Sequence, residues 1–182
     1  MLRLDKLHPV ISGNKWFKLR YYLEQAKTTG IHSLLTFGGA WSNHIHATAA
    51  ACALNGLQSI GIIRGEKPAL LSPTLQDATG WGMKLIFTNR ASYKEKQIPA
   101  DIDRSSLLIA GEGGYGQTGA DGAATLLDYC NQEYYTHILC ATGTGTMLAG
   151  IMNRCPSTVS CTGISVMKNN FSLGDATKQL LL

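Results

Sequence analysis

No run of this chain approaches the ~18 consecutive apolar residues that a membrane-spanning helix needs, although 45% of its 182 residues are hydrophobic. The N-terminus, Met1-Leu2-Arg3-Leu4-Asp5-Lys6, lacks the apolar centre of a secretory signal. The reading is therefore a cytoplasmic protein without a membrane partner. Charged residues are few, at 15%, and the apolar content is ordinary, which argues against wholesale disorder. The five cysteines (Cys52, Cys130, Cys140, Cys155, Cys161) form no Cys-x-x-Cys pair. The five histidines do not join them in a zinc pattern, so no metal is expected. Reduced cysteines serving as small core residues are the plainer reading.

A long basic stripe is also lacking, so no nucleic-acid partner is expected. The net charge of +4 resides in residues 1–30, where Arg3, Lys6, Lys15, Lys18, Arg20 and Lys27 face only Asp5 and Glu24. The rest of the chain is balanced. A local anion site near the N-terminus fits this distribution better than a broad nucleic-acid footprint. The length suits one domain, or one domain and part of another.

What is present is an alternation of short apolar runs and helical patterns. Strands are predicted at Leu34–Phe37, Ser59–Ile63, Lys84–Thr88, Ser106–Ala110, His137–Ala141 and Val159–Val166. Helices are predicted after Asn14 (with Trp16, Leu19, Leu23 and Ala26 in step), over 43–54, from Ser72-Pro73, over 118–131 and over 146–153. This order predicts an α/β protein whose parallel sheet is covered on both faces. Three strands run into glycine-rich turns: Phe37-Gly38-Gly39, Ala110-Gly111-Glu112-Gly113-Gly114 and Thr142-Gly143-Thr144-Gly145-Thr146. Ligands of open α/β sheets bind at the carboxyl ends of strands, so three such turns suggest one shared cleft.

Gly143-Thr144-Gly145-Thr146 is the strongest phosphate candidate, because N–H groups and a helix dipole favour an anion there. It is no Walker A loop, since no Gly-Lys-Ser/Thr follows. Leu148 replaces the third glycine of a dinucleotide fingerprint, and Val166-Met167-Lys168 offers no acid for a ribose. Lys15, in Gly13-Asn14-Lys15, would sit in the first turn of a helix capped by Asn14. The dipole, together with Lys18 and Arg20, pushes it toward the neutral amine that a Schiff-base nucleophile requires. An exposed first-turn lysine is the plainer alternative. In Ser42-Asn43-His44, Ser42 or Asn43 is a natural helix cap. The functional alternative gives Asn43 a bond to a ligand oxygen and leaves Ser42 or His44 for proton transfer. His46 belongs on the helix surface or against a loop. A phosphate cup, a perturbed lysine and an asparagine at neighbouring strand ends suit pyridoxal phosphate, whose ring is an electron sink.

The combination resembles the pyridoxal-phosphate enzymes of fold type II, the tryptophan-synthase β-like group. Within them it is similar to the D-cysteine desulfhydrase/1-aminocyclopropane-1-carboxylate (ACC) deaminase family. Seven segments carry the likeness: Leu4-Asp5-Lys6-Leu7-His8-Pro9, Ser12-Gly13-Asn14-Lys15-Trp16-Phe17-Lys18-Leu19, Thr36-Phe37-Gly38-Gly39-Ala40-Trp41-Ser42-Asn43-His44, Ala47-Thr48-Ala49-Ala50-Ala51, Glu112-Gly113-Gly114, Thr142-Gly143-Thr144-Gly145-Thr146 and Gly163-Ile164-Ser165-Val166. The resemblance implies three-layer αβα architecture with parallel sheets, residues 31–116 forming a small domain and residues 1–30 and 117–182 an incomplete large one. It implies Lys15 as the Schiff-base lysine, Asn43 at the ring, and Gly143, Thr144, Gly145 and Thr146 at the phosphate. Ser42, Asn43 and His44 would meet a small amino-acid substrate, with Ser42 available to move a proton. The implied reaction releases ammonia and a 2-oxo acid. His44 follows the desulfhydrase branch, where deaminases carry Gln, and His46 stands where an Arg is usual.

Residues 174–182 end in an apolar helix-like run, Gln179-Leu180-Leu181-Leu182, and family members continue beyond this point, so the resemblance also implies missing large-domain strands, missing substrate-facing tyrosines and an absent partner for the pyridine nitrogen. The expected consequence is an open apolar sheet edge and marginal stability, or a covering partner; relatives suggest a homodimer. Three alternatives accompany this reading: a truncated, non-catalytic pyridoxal-phosphate-binding fragment, another fold-type II enzyme acting on L-serine, L-threonine or L-cysteine, and a plain nucleotide-binding domain.

Overall fold

A computed structural model describes residues 1–131 and 134–182. Helix α1 (Asn14–Thr29) leads into strand β1 (Ser33–Gly38), followed by α2 (Asn43–Leu54), β2 (Gln58–Arg64), α3 (Pro73–Gly80), β3 (Lys84–Thr88), α4 (Arg90–Lys94) and β4 (Leu107–Ala110). Then come α5 (Gln117–Ala124), β5 (His137–Thr142), α6 (Thr146–Arg154), β6 (Ser160–Ser165) and α7 (Leu173–Lys178).

The first sheet has the order β3-β2-β1-β4 and every pairing is parallel. Leu34, Leu35, Thr36 and Phe37 are all buried, as expected of a central strand covered on both faces. One face packs Leu34 and Leu108 against Ala47, Ala50, Ala51 and Cys52 of α2 and Leu19, Tyr22 and Ala26 of α1. The run of alanines lets α2 lie close to the sheet. The other face packs Leu35, Phe37, Ile62 and Leu107 against Tyr93 of α4, with Ile98 and Ile102 beyond it. The predicted αβα layering is thus present around this sheet.

The second sheet is the parallel pair β5-β6. Its inner face sets Ile138, Cys140 and Cys161 against Phe17, Leu126, Leu127 and Ile151. Leu139 and Ile164, on its other face, are 67% and 60% exposed. Apolar exposure, expected at a sheet edge, is found on this face.

Three helix expectations change. Gly13, not Asn14, is the N-cap residue of α1, and Asn14 is its first helical residue. The pattern over 118–131 is helical only to Ala124; a 3-10 segment, Thr125–Tyr129, follows, with the Thr125 hydroxyl donating to the Gly122 carbonyl at 2.7 Å. Near the C-terminus, the helix is Leu173–Lys178, ahead of the apolar Gln179-Leu180-Leu181-Leu182 run. Leu180 is buried against Ala120 and Ala149, so this run acts as a packing anchor rather than as a helix.

From β1 the chain proceeds outward to β2 and β3, then returns to place β4 on the other side of β1. Such a reversal of strand order opens a crevice at the carboxyl ends of the strands. Gly38 ends β1 there and Ala110 ends β4 there.

Candidate active site

A cleft of about 940 Å³ lies at this switch point and reaches the end of β5. Lys15, Ser42, Asn43, His44, Gly143 and Thr144 line it together. Gly145 and Thr146 lie behind the lining: Gly145 is the N-cap of α6 at φ 84°, and Thr146 is fully buried in its first turn. The Thr144 and Thr146 hydroxyls are 3.0 Å apart. Asn170 donates its side-chain N–H to the Gly143 carbonyl at 3.3 Å and so ties the turn to the segment after β6.

Ser42 takes the helix-capping role. Its Oγ accepts from the Ile45 N–H, which leaves the hydroxyl proton free to donate. Asn43 is exposed to the cleft, and its amide makes no hydrogen bond among the described residues. His44 is 2% exposed. The Thr36 hydroxyl donates to the Ala110 carbonyl at 2.9 Å, so at 2.9 Å from His44 Nε2 it acts as acceptor and the ring carries its proton on Nε2. Nδ1 then keeps a buried lone pair with no hydrogen-bond partner among the described residues. Burial first, then the Lys15 and Lys18 charges, push the imidazole down to about 3, with the Gly111 carbonyl working the other way. A histidine held neutral in this way leaves Ser42 as the better proton donor of the two. His46 lies on the α2 surface, 3.1 Å from an Asp77 carboxylate oxygen and edge-on to Trp81.

Lys15 is half-buried and donates to the Asn14 side-chain oxygen at 2.7 Å. Its amine is held below the usual lysine range by burial. The expected contribution of Arg20 is absent: that side chain is exposed and leans toward Glu24 at 3.7 Å. The helix face that packs inward carries Phe17, Lys18, Leu19, Tyr22 and Ala26, whereas Trp16 is 38% exposed.

Lys18, named from the sequence only as a like charge beside Lys15, is itself part of the site. It is 3% exposed and donates its ammonium to the Gly113 carbonyl at 3.0 Å. Burial, and then the neighbouring Lys15 charge, push it down to about 7. One signal was available: position 18 falls in step with Leu19, Tyr22 and Ala26, on the buried face. Gly113 links Lys18 to the phosphate candidate. At φ 65° it occupies a backbone region that side chains avoid, and a Cβ there would lie 2.8 Å from Thr144 Cγ2. The Glu112-Gly113-Gly114 turn can therefore approach the Gly143–Thr146 turn only as glycine.

Two amines thus share a mostly buried site, and no ion pair among the described residues involves either. Burying uncompensated cations is costly, and an anion between them removes that cost. The donor set (a depressed amine, a second amine, two hydroxyls and the N-terminus of α6) fits an aldehyde that also bears a phosphate.

No catalogued family profile matches the chain. A putative ACC deaminase of Thermotoga maritima is 29% identical over 160 residues, covering 82% of this chain and 51% of the relative. A putative mitochondrial D-cysteine desulfhydrase 2 of Oryza sativa subsp. japonica is 30% identical over 118 residues, covering 63% of this chain and 27% of the relative. Among solved structures, an ACC deaminase homologue superposes with a TM-score of 0.77 at 24% identity, over 98% of this chain and 59% of that one. A serine racemase from Dictyostelium discoideum superposes with a TM-score of 0.70 at 13% identity, over 89% and 53%. The chain spans about half the length of the curated relative it matches over the longest stretch.

Proposed function

We propose, for a chain that belongs to the fold-type II family of pyridoxal-phosphate-dependent ACC deaminase- and D-cysteine desulfhydrase-like proteins, that its cleft binds pyridoxal 5'-phosphate at Lys15. The activity proposed is that of a lyase or deaminase releasing ammonia and a 2-oxo acid from a small amino acid. The observation that carries this reading is the pair of amines, half-buried Lys15 and buried Lys18, set beside a glycine-threonine turn with no acidic partner among the described residues. When bound, the cofactor would supply an electron sink for cleavage at the substrate's α-carbon.

The chain's own residues then have separable tasks. Lys15, its amine biased toward the neutral form by burial, would hold the aldehyde. Gly143, Thr144, Gly145 and Thr146 would hold the phosphate through backbone N–H groups and hydroxyls, with the Lys18 charge behind them. Asn43 would donate to the ring oxygen, since its amide is uncommitted. Ser42 would donate its free hydroxyl proton to the substrate carboxylate. His44, neutral and bonded through Nε2, positions the start of α2 from β1 and offers only an acceptor to the site. The assembly proposed is a homodimer, and the compartment proposed is the cytoplasm. No helix among the described residues is long and apolar enough to cross a membrane.

The test is turnover by chain supplied with pyridoxal phosphate, offered D-cysteine, ACC, L-serine and L-threonine, with ammonia and 2-oxo acid measured. Release from D-cysteine or ACC that Lys15→Ala abolishes supports the reading. Release from the L-amino acids alone moves the assignment to another fold-type II activity. Cofactor uptake at Lys15 without release from any of them identifies a binding fragment and refutes the lyase.

A further inference from the structure

Beside the cleft lies a second hollow of about 580 Å³, lined by Arg64, Arg90, Tyr93, Lys94, Lys96 and Glu112. Arg64, Lys96 and Glu112 line the cleft as well, so the two spaces are continuous. Sequence order explains the gathering. Arg64 ends β2, Arg90 and Lys94 belong to α4 after β3, and Glu112 follows β4, so three strands of one parallel sheet deliver charge to its carboxyl end.

The charges do not balance. Four cations face one carboxylate, and that carboxylate is occupied by Lys96 at 2.5 Å. Arg64, Arg90 and Lys94 enter no ion pair among the described residues. The local excess of positive charge is thereby focused in one concavity, which raises the local concentration of anions. Two of the cations are also held in place. The ring of buried Tyr93 lies 4.0 Å from Lys96 Nζ and 5.6 Å from Arg64 Cζ. Lys96 takes φ 50°, a left-handed backbone rarely adopted by lysine. The Arg64 guanidinium passes 3.6 Å from the place a Cβ on Gly39 would occupy, so it leans over the turn that carries Ser42 and Asn43.

We propose that this hollow receives a second anionic group, carried on the side chain of the amino-acid substrate: a carboxylate, sulfonate or phosphate bound between Arg64 and Lys96. The geometry of Arg64 suits it, since a planar guanidinium can bind two oxygens of such a group at once. The inference rests on the reading of the cleft as an amino-acid site.

The test is calorimetric binding to the full chain supplied with pyridoxal phosphate, whose visible absorbance reports uptake independently. The probes are O-phosphoserine and serine, in both enantiomers, and inorganic sulfate, against wild type, Arg64→Gln and Lys96→Met. Both substitutions are at exposed positions, and melting curves check that the fold is kept. The expected result is at least tenfold tighter binding of one O-phosphoserine enantiomer than of serine, falling below threefold in Arg64→Gln while cofactor absorbance is unchanged. Equal affinity for the two probes in cofactor-loaded wild type overturns the inference while leaving the cofactor reading intact. A preference that survives both substitutions overturns it too. Sulfate binding sensitive to Arg64→Gln, with no amino-acid preference, marks a site for free anions and also overturns it. Absent absorbance shows instead that the cofactor reading itself has failed, and the inference falls with it.

Discussion

At the scale of single residues, the buried lysines give the cleft its character, and they make stability depend on pH. Unfolded, the Lys18 amine keeps its proton up to its ordinary value of 10.5; folded, it loses it near 7. Between these limits the unfolded chain binds more protons, so stability rises with pH across that window and is lost as pH falls through it. His44 repeats this sign on the acid side, where the folded ring resists protonation down to about 3 against an ordinary value of 6.5. The expected outcome is a melting temperature, without cofactor, that climbs from pH 7 toward pH 10. In Lys18→Met that climb flattens. An unchanged slope in Lys18→Met would show that the amine is solvated. Lys18 was hard to read from the sequence because a lysine on a helix is ordinarily a surface group. Only its place in the buried spacing distinguishes it.

At the scale of elements, the cleft is built by turns approaching one another, and the tightest approach is testable. Gly113→Ala must hold a left-handed backbone, which costs ~1–2 kcal/mol by itself, and must push its methyl against Thr144 Cγ2. Thr144→Ser removes that carbon. The double variant Gly113→Ala/Thr144→Ser is expected to recover part of the loss in a denaturation series, whereas additive losses would place the strain elsewhere. Strand positions were legible as short apolar runs between helical patterns, three of them ending in glycine-rich turns: Lys84–Thr88 is observed as expected, and the other five strands differ by at most one residue at either end. Ser42-Asn43-His44, Lys15 and the Gly143-Thr144 turn were legible as neighbours because each follows such a strand end or starts a helix. Elements held by tertiary contact were not legible. Helix α4 is five polar-rich residues with no period to detect, fixed by Tyr93 inserting under the sheet. Helix α7 is fixed by Thr177, whose hydroxyl donates to the Leu173 carbonyl at 2.8 Å and which packs against Gly145.

At the scale of the whole molecule, the two sheets are treated unequally. The first is covered on both faces, while the second shows Leu139 and Ile164 to solvent, with exposed Val166 directly after β6. Contiguous apolar exposure of this kind promotes association. Leu139→Thr is expected to leave stability within ~0.5 kcal/mol and to lower self-association in light scattering. A large loss of stability would mean that the face is covered within the monomer. The proposed pyridoxal-phosphate site is the cleft, where sheet switch point, buried amines and glycine-threonine turn meet. Its most direct test is to add pyridoxal phosphate to the purified chain, reduce with borohydride and map the modified peptide by mass spectrometry. One adduct is expected, on Lys15, lost in Lys15→Ala while Lys18 remains unmodified. Adducts scattered over exposed lysines, or none, would contradict it.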